Sequence, residues 1–157
     1  MQEFLISPSP ARTNHGVLSY LEREWEPDFY FENEDGNPVS YSRRGGTYIK
    51  NGKLVTCFFE FLLSSKGSST GRALLRNFPF PLDKRDSSLY GTTGSVSFFG
   101  LATSAITVNF VPYTTVDDVF IKFTLQTAAA TNNQTTMLDT DVGNGTQLAG
   151  TVIYRIA

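Results

Sequence analysis

The chain carries one cysteine, one histidine and one tryptophan in 157 residues, and these shortages exclude much chemistry before any fold is considered. With Cys57 alone no internal disulfide forms, which fits a reducing place of synthesis. One cysteine and one histidine cannot supply the four ligands of a zinc site within one chain. A Ser–His–Asp or Cys–His nucleophile needs its base close by, yet His15 falls in a proline-punctuated N-terminal segment. Cys57 falls inside a predicted strand core, where it reads as a small buried hydrophobe. Basic residues are sparse as well. Lys and Arg total 13 against 15 Asp and Glu, a net charge of −2, and no basic run offers a surface to phosphates. Nucleic-acid binding is therefore not expected. No apolar window approaches the roughly 18 residues of a membrane span, so membrane insertion is not expected either. The opening MQEFLISPSPA has no basic leader, and its apolar run is too short for a signal peptide. Without such a signal, the glycosylation patterns at Asn133 and Asn144 read as turn residues.

What is abundant is β-forming. There are 13 Phe and 7 Tyr, accompanied by many Thr, Ser, Gly and Asn, a mixture that favours strands and turns. The length suits one domain. Residues 1–24 read as an extended arm, because SPSPARTNHG has little hydrophobic periodicity and no core of its own. Within it, Val17, Leu18 and Leu21 share a helical face, which predicts a short helical turn over Val17–Glu24. The β domain then spans 25–157. Trp25, Phe29 and Phe31 alternate around Pro27, which marks an edge strand or a bulge. Val39–Arg43 reads as a short strand ending at Gly45-Gly46. Asn51-Gly52 signals a type I′ hairpin, a register that sets Ile49 opposite Leu54 and Tyr48 opposite Val55.

Beyond the turn, Val55, Cys57, Phe59, Phe61 and Leu63 fall on one face, the predicted core face. The opposite face reads Leu54, Thr56, Phe58, Glu60, Leu62. It is too apolar for plain exposure and too mixed for a second core, so either a neighbouring subunit or a loop covers it. Leu54, Phe58 and Leu62 are the candidate subunit-interface residues. Further alternators follow at Val96/Phe98/Gly100, Ile106/Val108/Phe110, Val119/Ile121/Phe123/Leu125 and Leu148/Val152/Tyr154/Ile156. About eight or nine short strands without a long amphipathic helix predict an all-β fold, an antiparallel β-sandwich or jelly roll behind the N-terminal arm.

Catalytic groups are not expected. The paired acids Glu22/Glu24/Glu26, Asp117/Asp118 and Asp139/Asp141 lie on the arm or on turns, where carboxylates are ordinarily solvated rather than paired for glycan cleavage. Asp139, Asp141 and Asn144, with Asp35 and Asn37, place oxygens at alternate positions, but an EF-hand loop needs a glutamate where Gly150 stands. Asx-turns are the simpler reading, with no metal and no cofactor. Sugar binding asks only for an aromatic platform with polar partners, and Trp25, Tyr41, Tyr90 and Tyr113 are the glycan-binding candidates, each weighed against packing.

The order Trp25-x-Pro27, Tyr41, G-x-Y-x-K-x-G-x-x-V (Gly46, Tyr48, Lys50, Gly52, Val55), S-K-G-x-x-T-G (Ser65 to Gly71) and N-F-P-F (Asn77 to Phe80) resembles the C-terminal β-sandwich knobs of bacteriophage tail fibres and tailspikes. A last strand ending in Tyr154-Arg155 echoes it. The resemblance implies a homotrimer of jelly-roll domains on the virion surface, used for assembly and often for host-glycan binding. Such knobs end long chains with a shaft. If 157 residues is the whole product, the arm 1–24 attaches the knob to capsid or tail proteins, as in a capsid-decoration, cement or head-fibre protein. The expected function is thus a non-enzymatic, arm-anchored trimeric knob with added contact to host glycans. The alternative is the receptor-binding tip of a tail fibre or tailspike.

Overall fold

The computed structural model describes residues 20–81, 92–114, 119–128 and 134–156. Ten strands run through them: β1 (Tyr20–Trp25), β2 (Asp28–Asn33), β3 (Ser40–Asn51), β4 (Leu54–Ser65), β5 (Thr70–Arg76), β6 (Thr92–Leu101), β7 (Ala105–Thr114), β8 (Val119–Thr127), β9 (Thr135–Thr136) and β10 (Val142–Arg155). One sheet has the order β1-β3-β4-β10-β6, the other β2-β5-β8-β7 with β9 added to β8, and the pairings are antiparallel. This is the expected antiparallel sandwich, with more strands than expected. Part of the excess comes from Pro27, which has no N–H to donate and fixes its own φ. The chain leaves the first sheet after Trp25 and enters the second at Asp28.

Several local expectations are corrected by the structure. Tyr20–Trp25 is an edge strand rather than the end of a helical turn, because each of its residues is in register with β3, from Tyr20↔Asn51 to Trp25↔Gly46. It lies within the stretch expected as an arm, and residues 1–19 fall outside the described residues. The hairpin pairs Asn51 with Leu54 and Ile49 with Thr56, so Gly52-Lys53 form the turn. Only Gly52 of the two takes a positive φ, 59°, which suits a type II′ turn with glycine first. The expected pairing was two residues out of step, and a slip of two preserves the faces. Finally, a bulge between Ala105 and Thr107 turns Ile106 outward to 60% exposure, while Val108 remains buried.

The core faces otherwise follow the alternation. Val55, Cys57, Phe59, Phe61 and Leu63 of β4 meet Phe29, Phe31, Ala73, Leu75, Ile121, Phe123 and Leu125 from the opposite sheet. Aromatic rings bridge the layers and line them: Phe29 lies 5.0 Å from Phe61 across the sandwich and 5.6 Å from Phe123 within its own sheet, centroid to centroid. Such offset and tilted contacts add to the stabilisation from apolar burial.

Gly45 and Gly46 do not end a strand; β3 runs through both. The reason lies in β1. The Trp25 indole covers Gly46, stacks on Phe78 at 5.4 Å, and donates its Nε1–H to the Phe58 carbonyl at 3.0 Å. A Cβ on Gly46 would fall on that carbonyl oxygen and within 2.5 Å of Trp25 Nε1. Gly46→Ala should therefore destabilise the fold by about 1–3 kcal/mol through overpacking alone, read as a lower denaturation midpoint with unchanged slope. A neutral result would mean the indole has room to move.

Candidate functional site

Register across the first sheet places one residue from each of its strands in a single outward row. Glu24 of β1 faces Thr47 of β3, Thr47 faces Phe58 of β4, Phe58 faces Thr151 of β10, and Thr151 faces Ser95 of β6. At 4.7–4.9 Å per strand the row is roughly 19 Å long. The next outward row holds Gly45, Glu60, Ala149 and Ser97. Small side chains in that row keep the floor low, and Phe58, 42% exposed, is the largest side chain between the two rows. The result is an open groove of about 1140 Å³ that also reaches Glu26 and Arg44.

Polar partners divide the groove into committed and uncommitted groups. Glu60 is ion-paired with Arg43 and accepts a bond from Gln147 Nε2 at 3.2 Å. Arg44 binds Glu26 at 3.0 Å and Asp28 at 3.5 Å. Ser97 Oγ donates to the Ala149 carbonyl at 3.2 Å. By contrast, the side chains of Glu24, Thr47, Thr151 and Ser95 have no hydrogen-bond or ionic partner among the described residues. An exposed ring is thus flanked, on both sides and along one line, by uncommitted hydroxyls and a carboxylate. Chemically, such a surface can stack a flat apolar face and accept or donate several hydrogen bonds. It holds no histidine or cysteine, and among the described residues no His, Cys, Asp and Glu cluster of three or more is arranged to hold a metal.

Gly45 is the counterpart of Gly46. A Cβ there would meet nothing within 4 Å, so a side chain at 45 would stand in the groove without disturbing the sheet. Adjacent glycines are therefore needed for opposite reasons, one for packing and one for open floor.

The residues singled out from sequence are distributed unevenly. Phe58 is at the groove's centre. Leu54 and Leu62 share its outward face, 47% exposed and half-buried, each about 13 Å away along β4. Trp25 borders the groove, but its ring is buried and its N–H is occupied. Tyr41 faces the other way, towards β2: its hydroxyl accepts the Phe29 N–H at 2.9 Å and shares its proton between the Phe29 carbonyl, at 2.8 Å, and Asp28 Oδ1, at 3.1 Å. Tyr90 and the Tyr113 side chain lie outside the described residues, as do Asp117 and Asp118. Asp139, Asp141 and Asn144 cap loops, accepting the backbone N–H groups of Gly71, Leu138 and Lys66, each at 2.9 Å. Thr47, Ser95 and Thr151 were not singled out, and Glu24 was weighed only among the acids considered for glycan cleavage. The expected hairpin put Thr47 on the same outward face as Phe58 but opposite Thr56; the observed register sets it beside Phe58.

No protein-family model matches the chain, and no curated protein does. Among solved structures it is similar to the crystal structure of the Dettilon tailspike protein, gp208. The TM-score is 0.59 and the identity 11%, over 87% of this chain and 24% of that one. The chain thus shares the β fold of part of a phage tailspike and spans about a quarter of its length. Among the described residues, no helix is long and apolar enough to cross a membrane.

Proposed function

We propose that the chain is a non-enzymatic module of a bacteriophage virion-surface protein of the tail type. In this reading it contacts host-surface glycan through the groove on its first sheet. The observation that carries it is the row Glu24–Thr47–Phe58–Thr151–Ser95, an exposed ring between uncommitted polar groups. Pyranose rings have one apolar face for an aromatic ring and hydroxyls for the flanking side chains, which is the chemistry this row offers. The tailspike fold agrees with a virion setting. Among the described residues Glu60 is ion-paired with Arg43, and Asp139 and Asp141 cap loops, which supports binding without cleavage.

The test is binding of the purified chain to bacterial surface polysaccharides, with Phe58→Ala and Gly45→Leu as variants. Phe58→Ala should weaken binding at least tenfold by removing the platform. Gly45→Leu should do the same by filling the floor, with a melting temperature close to that of the parent. Binding retained in both variants would remove the groove from the account, and reducing ends appearing from bound polysaccharide would make the chain an enzyme.

One observation favours a second reading. Leu54, Phe58 and Leu62 lie exposed or half-buried along one strand face, with Tyr20 and Phe99 exposed on the edge strands β1 and β6 of the same sheet. In that reading the face packs against sister subunits of a trimeric knob that other virion proteins hold through residues 1–24. Sedimentation separates the two. A trimer that dissociates on Leu54→Asp with Leu62→Asp supports the knob, whereas a monomer that still binds glycan supports the groove.

A further inference from the structure

We infer that the groove takes neutral or amino-bearing saccharides and rejects acidic ones, with Glu24 as the discriminating residue. The inference rests on the glycan reading above and concerns the charge of the ligand.

The charges at the groove are unequal in availability as well as in number. Three carboxylates line it, Glu24, Glu26 and Glu60, against one lining cation, Arg44. Arg44 is already held by Glu26 and Asp28, and it stacks 4.7 Å above the Tyr41 ring. Arg43 is spent on Glu60. A uronate, sialate or sulfate entering the groove would therefore meet, among the described residues that line it, no cation free to pair with it. It would meet the carboxylate of Glu24, which has no partner of its own. Glu24 stands two strands from Phe58, about 10 Å along the row. A sugar stacked on Phe58 thus presents its neighbouring residue, or a bulky substituent, to Glu24. An ammonium there gains a charge-assisted bond, and a pair of hydroxyls can donate to the two carboxylate oxygens. An anion there is repelled, and discrimination by like charge is a common route to specificity.

The test uses the full chain on an array of bacterial polysaccharides sorted into neutral, amino-sugar and acidic classes, at low and high ionic strength. The parent should bind neutral or amino-sugar members at least tenfold more tightly than acidic ones. High salt should narrow that gap, because screening weakens exposed repulsion. Glu24→Gln should narrow it at low salt too, raising acidic binding and lowering amino-sugar binding, while neutral binding falls by less than amino-sugar binding, because the amide keeps one acceptor oxygen for a hydroxyl. Its melting temperature should match the parent's, since Glu24 holds no partner.

Acidic polysaccharides bound as tightly as neutral ones, in a manner that Phe58→Ala abolishes, would overturn the charge assignment and leave the glycan reading standing. A class preference untouched by Glu24→Gln would overturn the role given to Glu24. No binding to any class would remove the glycan reading and this inference with it.

Discussion

Replacing Phe61 by alanine should cost about 3–5 kcal/mol of folding free energy, the range for removing a buried aromatic ring. Phe61 has no exposed surface and is one of the rings through which the two sheets meet. Its centroid lies 5.0 Å from Phe29, 5.9 Å from Phe59 and 6.2 Å from Tyr41. Alanine would leave a cavity bordered by three rings that cannot all close on it, since two are fixed in the same sheet. At about 2–4 °C per kcal/mol for a chain of this size, the melting temperature should fall by roughly 6–20 °C. Phe58→Ala, three residues away and 42% exposed, should cost no more than about 1 kcal/mol. Urea unfolding of both variants checks the pair, with the slope unchanged if both states keep their compactness. Equal losses in the two would contradict the inward and outward faces of β4.

Alkaline unfolding is the second large effect, and it should begin near pH 9. Burial pushes the Cys57 thiol from 9.0 up to about 12. Burial, followed by the charge of Asp28, pushes the Tyr41 hydroxyl from 10.0 up to about 12. The Tyr154 hydroxyl, buried and donating to the Phe80 carbonyl at 3.1 Å, is pushed well beyond 10 in the same way. In each case the folded pKa lies above the unfolded one, so the unfolded chain gives up its proton first as pH rises. The stability held by the neutral groups is complete below pH 9 and is lost between about 9 and 12. At pH 11 Cys57 stands two pH units past its unfolded value and Tyr154 one, which removes on the order of 4 kcal/mol between them. That is a large part of the roughly 5–15 kcal/mol that holds a domain folded. Stability measured by urea titration should be level from pH 7 to 9 and fall steeply above it. Cys57→Ala, although less stable at neutral pH, should show a shallower decline. Stability that stays level to pH 12 would mean these groups reach solvent in the folded chain.

Much of the architecture was legible from local pattern. The run Val55–Leu63 alternates so strictly that its core face follows from period alone, and the same holds for Ile121, Phe123 and Leu125. Where the reading slipped, a distant residue had decided the outcome. Gly45-Gly46 looks like a strand end until Trp25, on a strand arriving from earlier in the chain, covers the missing side chain. Ile106 looks inward until the bulge beside it adds a residue to one strand only. Asn51-Gly52 marked the right hairpin, but the turn closed one residue later, on Gly52-Lys53, at no cost to the faces.

The groove was less legible than the fold. Phe58 was noticed for its place on a mixed strand face, and Trp25 and Tyr41 for being aromatic near strand ends. Both of the latter spend their polar atoms on backbone or neighbouring side chains, a fact that appears only when the layers are assembled. By itself, the sequence determined the β class, the two-faced central strand and the shortage of reactive side chains, because composition and a period of two are local properties. Only the tertiary structure decided that Glu24, Thr47, Phe58, Thr151 and Ser95 stand in one line. Those five residues come from five strands spread over most of the chain. Apart from the β3–β4 hairpin, whose turn fixes its own register, their alignment comes from pairing between strands distant in sequence.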